Sequence, residues 1–114
     1  MNREILFELT DLIKKRRLSN REDSYVKSLL EDGTKKINEK IFEEALELIE
    51  ASLEDNETKK KKVIHEMADL WFHTMVLLEN EGLELEDVLS ELESRFGTSG
   101  HEEKSLREEN RQEN

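Results

Sequence analysis

The sequence has no cysteine, no proline and only four glycines among its 114 residues. The absence of cysteine excludes disulfide bonds and thiolate chemistry. Proline and glycine are the residues that most often interrupt helices, so their scarcity favours long helices over a sheet. Charged residues make up 41% of the chain, and leucine, glutamate and lysine are abundant. We therefore predict an all-α fold.

Apolar residues are also scarce, at 34% of the chain, and they form no long uninterrupted run. The longest apolar stretch, residues 63–78, contains Glu66, Asp69 and two histidines, which excludes a simple membrane span. The first turns are charged and do not resemble a signal peptide, so we expect a cytoplasmic protein. A single small domain with so few apolar residues is expected to complete its core across a subunit interface, which favours an oligomer.

Acidic residues outnumber basic residues by 29 to 18, and the net charge is −11. Such a charge repels nucleic acids and anionic membrane surfaces, so we expect neither of them as a partner. Binding of a cation is the simpler interpretation.

Helical periodicity divides the chain into four main segments. The less regular stretch 18–33 is predicted to be a link, with a short helix ended by Gly33 as the alternative. The second and third main segments are expected to pack as an antiparallel hairpin in a bundle of four to five helices, completed by dimerisation. We predict a helical domain over residues 1–97 and a polar, partly mobile tail over 98–114. The predicted main helices cover about 2–17, 35–53, 58–78 and 85–95.

Two acidic pairs lie in the central helices at a spacing of three, Glu44 with Glu47 and Glu66 with Asp69. This spacing puts both members of a pair on one helix face. Acidic residues are so frequent in this chain that such pairs also arise by chance, and the spacing alone identifies no site. A helical projection is more informative, because it places Glu44 and Glu66 within apolar stripes. The segment around Glu66 is apolar on nearly all sides, so we predict an interior helix with buried acids.

If the two central helices face each other, the four carboxylates converge. At ~5 Å and an effective dielectric constant of about 20, each pair of like charges costs on the order of 3 kcal/mol. Bound cations or shared protons must compensate for this repulsion. Oxygen ligands favour Mg²⁺ first and Mn²⁺ second, whereas a di-iron bundle would use Glu-x-x-His pairs. Because Mg²⁺ commonly recruits substrate phosphates, the pattern predicts a magnesium site acting on a phosphorylated substrate.

The histidines and aromatic residues of the third main helix have simpler explanations. We interpret His73 as a hydrogen-bonded histidine near the core and His65 as a solvated residue. Trp71 and Phe72 are interpreted as packing residues, not as a surface on which a base stacks.

Three segments carry a family resemblance: SYVKSLLEDGTKKINEKIFEEALELI, IHEMADLWFHTMVLL and LELEDVLSELESRFGTSGHEEKSLR. Over residues 5–107 the chain resembles the phosphoribosyl-ATP pyrophosphatases, which act in the second step of histidine biosynthesis. They belong to the all-α NTP pyrophosphohydrolase superfamily, which includes the MazG-like proteins. The more specific features are the pair Ser24-Tyr25 and the segment 95–107. The chain departs from the family at Phe42, where a small residue is usual, and we expect a change in packing without loss of activity.

The resemblance implies Mg²⁺-dependent hydrolysis of the α–β anhydride of 1-(5-phosphoribosyl)-ATP by a homodimer. The products would be 1-(5-phosphoribosyl)-AMP and pyrophosphate. The implied metal ligands and catalytic residues are the four acids Glu44, Glu47, Glu66 and Asp69. The implied binding residues for the substrate phosphates are the basic residues Lys40, Arg95, Lys104 and Arg107.

Two alternative functions remain at this point. A MazG-like enzyme would use the same chemistry on other nucleoside triphosphates, although the segment 97–107 favours the first substrate. A non-catalytic helical bundle used for association would also fit the acidic, leucine-rich composition.

Overall fold

A computed structural model of the protein describes residues 4–19 and 24–97. The regular structure in these two ranges is entirely helical, which confirms the predicted all-α class. No helix in the described ranges has the length and apolar character needed to cross a membrane. The helices are α1 (Ile5–Leu18), α2 (Tyr25–Asp32), α3 (Thr34–Ser52), α4 (Lys59–Asn80) and α5 (Leu85–Phe96).

The chain divides into two compact units, residues 1–83 and residues 84–114. The first unit contains α1 to α4. The described part of the second unit is α5 and the residues beside it, and α5 starts with a capping box between Glu84 and Asp87. The predicted tail, residues 98–114, lies outside the described residues, and the predicted boundary after residue 97 stays a prediction.

The stretch predicted to be a link is a helix over Tyr25–Asp32, so the short-helix alternative is correct. The side chain of Ser24 caps its start by accepting a hydrogen bond from the main-chain nitrogen of Lys27 at 3.3 Å. Two apolar side chains, Val26 and Leu29, are buried and hold the helix against the bundle. Gly33 ends the helix with a φ of 89°, a left-handed value that glycine adopts readily.

The helices α3 and α4 form the antiparallel hairpin predicted from the sequence. Near the connecting loop, Lys62 pairs with Glu54 at 2.9 Å. At the open end, Asn80 at the end of α4 donates a hydrogen bond to the hydroxyl of Thr34 at the start of α3, at 2.9 Å. Contacts at both ends therefore align the two helices in opposite directions.

All four helices of the first unit contribute buried side chains to its core. Ion pairs also join α1 to α4, since Glu79 lies 3.0 Å from the Lys14 ammonium and 3.1 Å from the Arg17 guanidinium. The largest fully buried side chains are Ile13, Leu29, Ile37 and Val76, one from each helix.

The prediction that α4 is an interior helix with buried acids is wrong for the single chain, in which Glu66 and Asp69 are only half-buried. Its buried residues are His73, Met75 and Val76, whereas Ile64 is 70% exposed and Trp71 is 54% exposed. Four side chains form an exposed apolar stripe, the α4 stripe, around a shallow depression of about 230 Å³: Ile64, Met67, Ala68 and Trp71. A second set of exposed apolar side chains, the α3 stripe, recurs at helical spacing along α3 and its end: Phe42, Leu46, Ile49 and Leu53.

Candidate metal and active site

The hairpin brings acidic side chains of α3 and α4 together. One carboxylate oxygen from each of Glu44, Glu47 and Glu66 lies within 4.8 Å of the others. The two α3 residues are one helical turn apart, and the antiparallel packing of α4 places Glu66 opposite them. Three of the four predicted acids therefore form a group with the dimensions of a cation site.

The fourth acid, Asp69, belongs to an adjoining group on α4. Ligand atoms of His65, Glu66 and Asp69 also lie within 4.8 Å of one another. His65 Nε2 is 3.3 Å from a carboxylate oxygen of Asp69. Glu66 is common to both groups, so the four predicted acids form one continuous cluster, which we call the carboxylate cluster.

Two oxygens of the carboxylate cluster are buried without a hydrogen-bond partner among the described residues. They are Oε2 of Glu44 and Oε2 of Glu66. A buried carboxylate oxygen that accepts no hydrogen bond is costly, because it has lost its water and gained nothing in return. A bound cation would remove this cost, and carboxylate oxygens are the ligands that Mg²⁺ prefers. The residues present therefore fit a hard divalent cation.

The carboxylate cluster raises the pKa of Glu44 from 4.5 to about 7. Partial burial is the largest cause, and the charge of Glu47 is the second. The hydrogen bond that the protonated Glu44 carboxyl donates to the Glu66 carboxylate acts in the same direction, and so does the charge of Asp69. In the metal-free protein Glu44 therefore takes up and releases a proton near neutral pH.

Lys40 is the predicted phosphate-binding residue that the structure places beside the cluster. It lies one turn before Glu44 on α3, and its ammonium pairs with Glu43 at 3.2 Å. The hydrogen bond to Glu43, and then the charge of that carboxylate, raise the pKa of Lys40. The side chain therefore stays positively charged at the edge of the site.

The other predicted phosphate-binding residues belong to the second unit. Arg95 is part of α5 in the second unit, where its guanidinium donates to Glu91 at 2.8 Å. Lys104 and Arg107 lie outside the described residues. Their proposed roles remain predictions.

The histidines of α4 differ from each other in their surroundings. His73 is buried and hydrogen-bonded, as predicted. His65 is exposed, as predicted, but its contact with Asp69 was not expected from the sequence. The i,i+4 spacing of His65 and Asp69 is the signal that could have indicated it. The hydrogen bond from Tyr25 to His73 was also missed, although Tyr25 belongs to the pair that carries the family resemblance.

The chain is similar to known proteins over most of its length. The family model described as phosphoribosyl-ATP pyrophosphohydrolase matches residues 6–96. A protein of Hydrogenovibrio crunogenus named phosphoribosyl-ATP pyrophosphatase is 43% identical over 111 residues, covering 96% of this chain and 98% of the relative. A protein of the same name from Nitrosospira multiformis is 47% identical over 104 residues, covering 91% and 84%. A third, from Neisseria meningitidis, is 43% identical and covers 96% and 99%.

Proposed function

The chain belongs to the phosphoribosyl-ATP pyrophosphohydrolase family, and from this membership we propose that it hydrolyses the α–β anhydride bond of phosphoribosyl-ATP. The products are phosphoribosyl-AMP and pyrophosphate, in the second step of histidine biosynthesis. The observation that carries the proposal is the convergence of acids from α3 and α4 in a chain whose relatives share that name over nearly their full length.

We assign the binding of Mg²⁺, with Mn²⁺ as a possible replacement, to the carboxylate cluster. Glu44, Glu47 and Glu66 offer three oxygens at close range, and Asp69 extends the cluster beside Glu66. A bound Mg²⁺ supplies charge neutralisation and polarisation of the phosphoryl oxygens. The two buried oxygens without a hydrogen-bond partner support this assignment.

Hydrolysis also requires a group that accepts a proton from the attacking water. Glu44 lies beside Glu47 and Glu66, and its Oε2 atom has no hydrogen-bond partner among the described residues. We assign it to hold the water and to accept its proton. Glu47, Glu66 and Asp69 then offer carboxylate oxygens to the cation.

The charge of the substrate phosphates also needs a partner on the protein. Lys40 projects from α3 one turn before Glu44 and is 29% exposed in its side chain. A cation in this position offsets the charge of the phosphate chain and orients it toward the carboxylate cluster. Arg95, Lys104 and Arg107 are assigned the same role on the family resemblance alone.

The exposed α4 stripe supports a homodimer. Large apolar side chains such as Ile64 and Trp71 are half exposed or more in the single chain. Contiguous apolar surface of this kind, on the helix that carries half of the site, is typical of a subunit interface. A second copy of the chain is the occupant that we propose.

A panel of substrates separates the candidate functions. Purified protein with Mg²⁺ should release pyrophosphate from phosphoribosyl-ATP much faster than from ordinary nucleoside triphosphates. Preference for ordinary or damaged triphosphates would favour a MazG-like enzyme instead. Absence of turnover on every nucleotide would favour an association module.

A further inference from the structure

One hydrogen bond joins α2 to His73 of α4, and a second, within α4, joins His73 to the main chain of Asp69. The Tyr25 hydroxyl lies 2.8 Å from His73 Nε2, and His73 Nδ1 lies 2.8 Å from the main-chain oxygen of Asp69. A carbonyl oxygen only accepts hydrogen bonds, so Nδ1 carries the proton. In the neutral ring Nε2 is then an acceptor, and the Tyr25 hydroxyl donates to it. Both nitrogens of a histidine that is only 6% exposed are therefore satisfied.

Aromatic packing holds the same side chains in place. The Tyr25 ring stacks on Phe72, with ring centroids 6.4 Å apart and an interplanar angle of 19°. It also meets the His73 ring edge to face, at 5.9 Å and 87°. Because Tyr25 is the first residue of α2 and follows the buried cap Ser24, these contacts fix the start of α2 against α4.

The Tyr25 hydroxyl is close enough to the carboxylate cluster to respond to its charges. Burial is the main cause that raises the pKa of Tyr25. The charge of Lys40 lowers it, and the charges of Glu44 and Asp69 raise it. The residues that influence this hydroxyl therefore come from α3 and α4, the two helices that form the site.

We propose that Tyr25 is a positioning residue for the carboxylate cluster. Through His73 it fixes the main chain of α4 at Asp69, and thereby the direction from which the Asp69 carboxylate approaches a bound cation. This inference rests on the metal site of the proposed function. Groups that orient metal ligands without touching the ion change metal affinity or activity by about 10-fold to 100-fold when they are removed.

The variant Tyr25→Phe tests the role of the hydroxyl, because it keeps the stacked ring and removes only the donor. Binding of Mn²⁺, followed by electron paramagnetic resonance without substrate, should weaken by about 10-fold. The Mg²⁺ concentration for half-maximal pyrophosphate release should rise by a similar factor. Ser28→Ala is the matched control, since it removes an exposed hydroxyl of the same helix that donates to the main-chain oxygen of Tyr25 and not to His73, and it should bind Mn²⁺ like the wild type.

A double variant tests whether the Tyr25 hydroxyl changes Mn²⁺ affinity by way of its hydrogen bond to His73. In His73→Asn the side-chain amide nitrogen keeps a donor close to the backbone, but the acceptor for Tyr25 is lost. If the two residues act through one hydrogen bond, the double variant should bind Mn²⁺ no more weakly than the single variant with the lower Mn²⁺ affinity. The double variant combines Tyr25→Phe with His73→Asn. If the fold-losses in Mn²⁺ affinity of the two single variants multiply in the double variant, the proposal is overturned.

The position of the proton on the His73 ring can be observed in the metal-free protein. Nitrogen-15 NMR should show the His73 ring with its proton on Nδ1, and Tyr25→Phe should shift the Nε2 signal. A proton on Nε2 in the wild type, or unchanged Mn²⁺ affinity in Tyr25→Phe, would contradict the role of Tyr25 and leave the proposed function intact. Wild-type protein that binds Mn²⁺ but releases no pyrophosphate would contradict the proposed function alone. Absence of Mn²⁺ binding by the wild type would overturn both.

Discussion

Glu44 combines two properties that separate it from the many other acids of this chain. Its Oε2 atom is buried without a hydrogen-bond partner among the described residues, and its pKa is raised to about 7 by burial and by neighbouring acids. At neutral pH the metal-free cluster therefore holds part of a proton. A divalent cation must displace this proton when it binds, so metal affinity is expected to increase with pH.

Neutral replacements in the carboxylate cluster test its catalytic role. Glu44→Gln and Asp69→Asn keep the shape of each side chain and remove its charge. We expect pyrophosphate release to fall by about 100-fold or more, because both proton transfer and metal binding are impaired. The fold should survive, as judged by circular dichroism, since removing a charge also removes repulsion within the cluster.

The control for these replacements is Glu50→Gln, which neutralises an exposed acid on the same helix as Glu44. It should keep wild-type turnover. Unchanged turnover in Glu44→Gln or in Asp69→Asn would show that the site is assigned to the wrong residues.

The raised pKa of Glu44 also predicts the pH dependence of stability in the metal-free protein. The unfolded chain releases this proton near pH 4.5, whereas the folded chain releases it near pH 7. Between these values the folded state binds more protons than the unfolded state, so the stability contributed by Glu44 is lost as the pH rises. Thermal melts in chelator should show a larger fall in melting temperature from about pH 5 to about pH 8 for the wild type than for Glu44→Gln. Parallel curves for the two proteins would contradict the pKa assignment.

At the scale of single residues, the sequence predicted which acids converge but not the contacts that surround them. Projection placed Glu44 and Glu66 within apolar stripes because helical geometry is regular. The proximity of Glu66 to the α3 acids followed from the expected hairpin. The contact between Tyr25 and His73 joins residues 48 positions apart. It depends on the placement of α2, which periodicity does not define.

Among the helices, strong apolar periodicity gave the bounds of α3, α4 and α5 and the end of α1 to within two residues, whereas the predicted start of α1 is three residues too early. The helix α2 was harder to predict, because it has only eight residues and follows a run of turn-forming residues. Its buried face consists of Val26 and Leu29, too few positions to reveal a period. The exposure of the α4 stripe was not predictable either, because an apolar residue fits a core and an interface equally well.

Gly33 is the position where the junction of two helices depends on one residue type. It ends α2 and precedes α3 with a φ of 89° and a ψ of −169°. This backbone conformation is essentially restricted to glycine and costs other residues of order 1–3 kcal/mol. We therefore expect Gly33→Ala to lower the free energy of unfolding by about 1–3 kcal/mol, measured by urea denaturation.

The cause of that loss would be backbone strain, because an added Cβ at Gly33 meets no atom within 4 Å. The control Lys35→Ala, at an exposed position two residues later, should change stability by less than about 0.5 kcal/mol. Equal stability of Gly33→Ala and the wild type would contradict the conformation at this junction.

For the molecule as a whole, the low apolar content predicted an interface between two subunits but did not indicate which surface forms it. The structure offers two exposed apolar surfaces, the α3 stripe and the α4 stripe, and we assign the interface to the α4 stripe, where Ile64 is 70% exposed. We expect the wild type to sediment as a dimer. Ile64→Lys places a charge in the stripe and should shift the protein to monomer, since burying an unpaired charge at an interface is costly.

Leu18→Lys is the matched control for this surface, since Leu18 is an apolar residue at the end of α1 that is 84% exposed. It makes the same kind of change away from the α4 stripe and should leave the sedimentation coefficient unchanged. A dimer that persists in Ile64→Lys and dissociates in Leu18→Lys would place the interface elsewhere.

The central claim is that the carboxylate cluster uses a divalent cation to cleave one particular bond. Phosphorus-31 NMR of phosphoribosyl-ATP incubated with the purified protein tests this most directly, with Mg²⁺ in one sample and a chelator in the other. We expect pyrophosphate and phosphoribosyl-AMP in equal amounts with Mg²⁺, and intact substrate with the chelator. Release of inorganic phosphate as the first product, or equal turnover in both samples, would contradict the account.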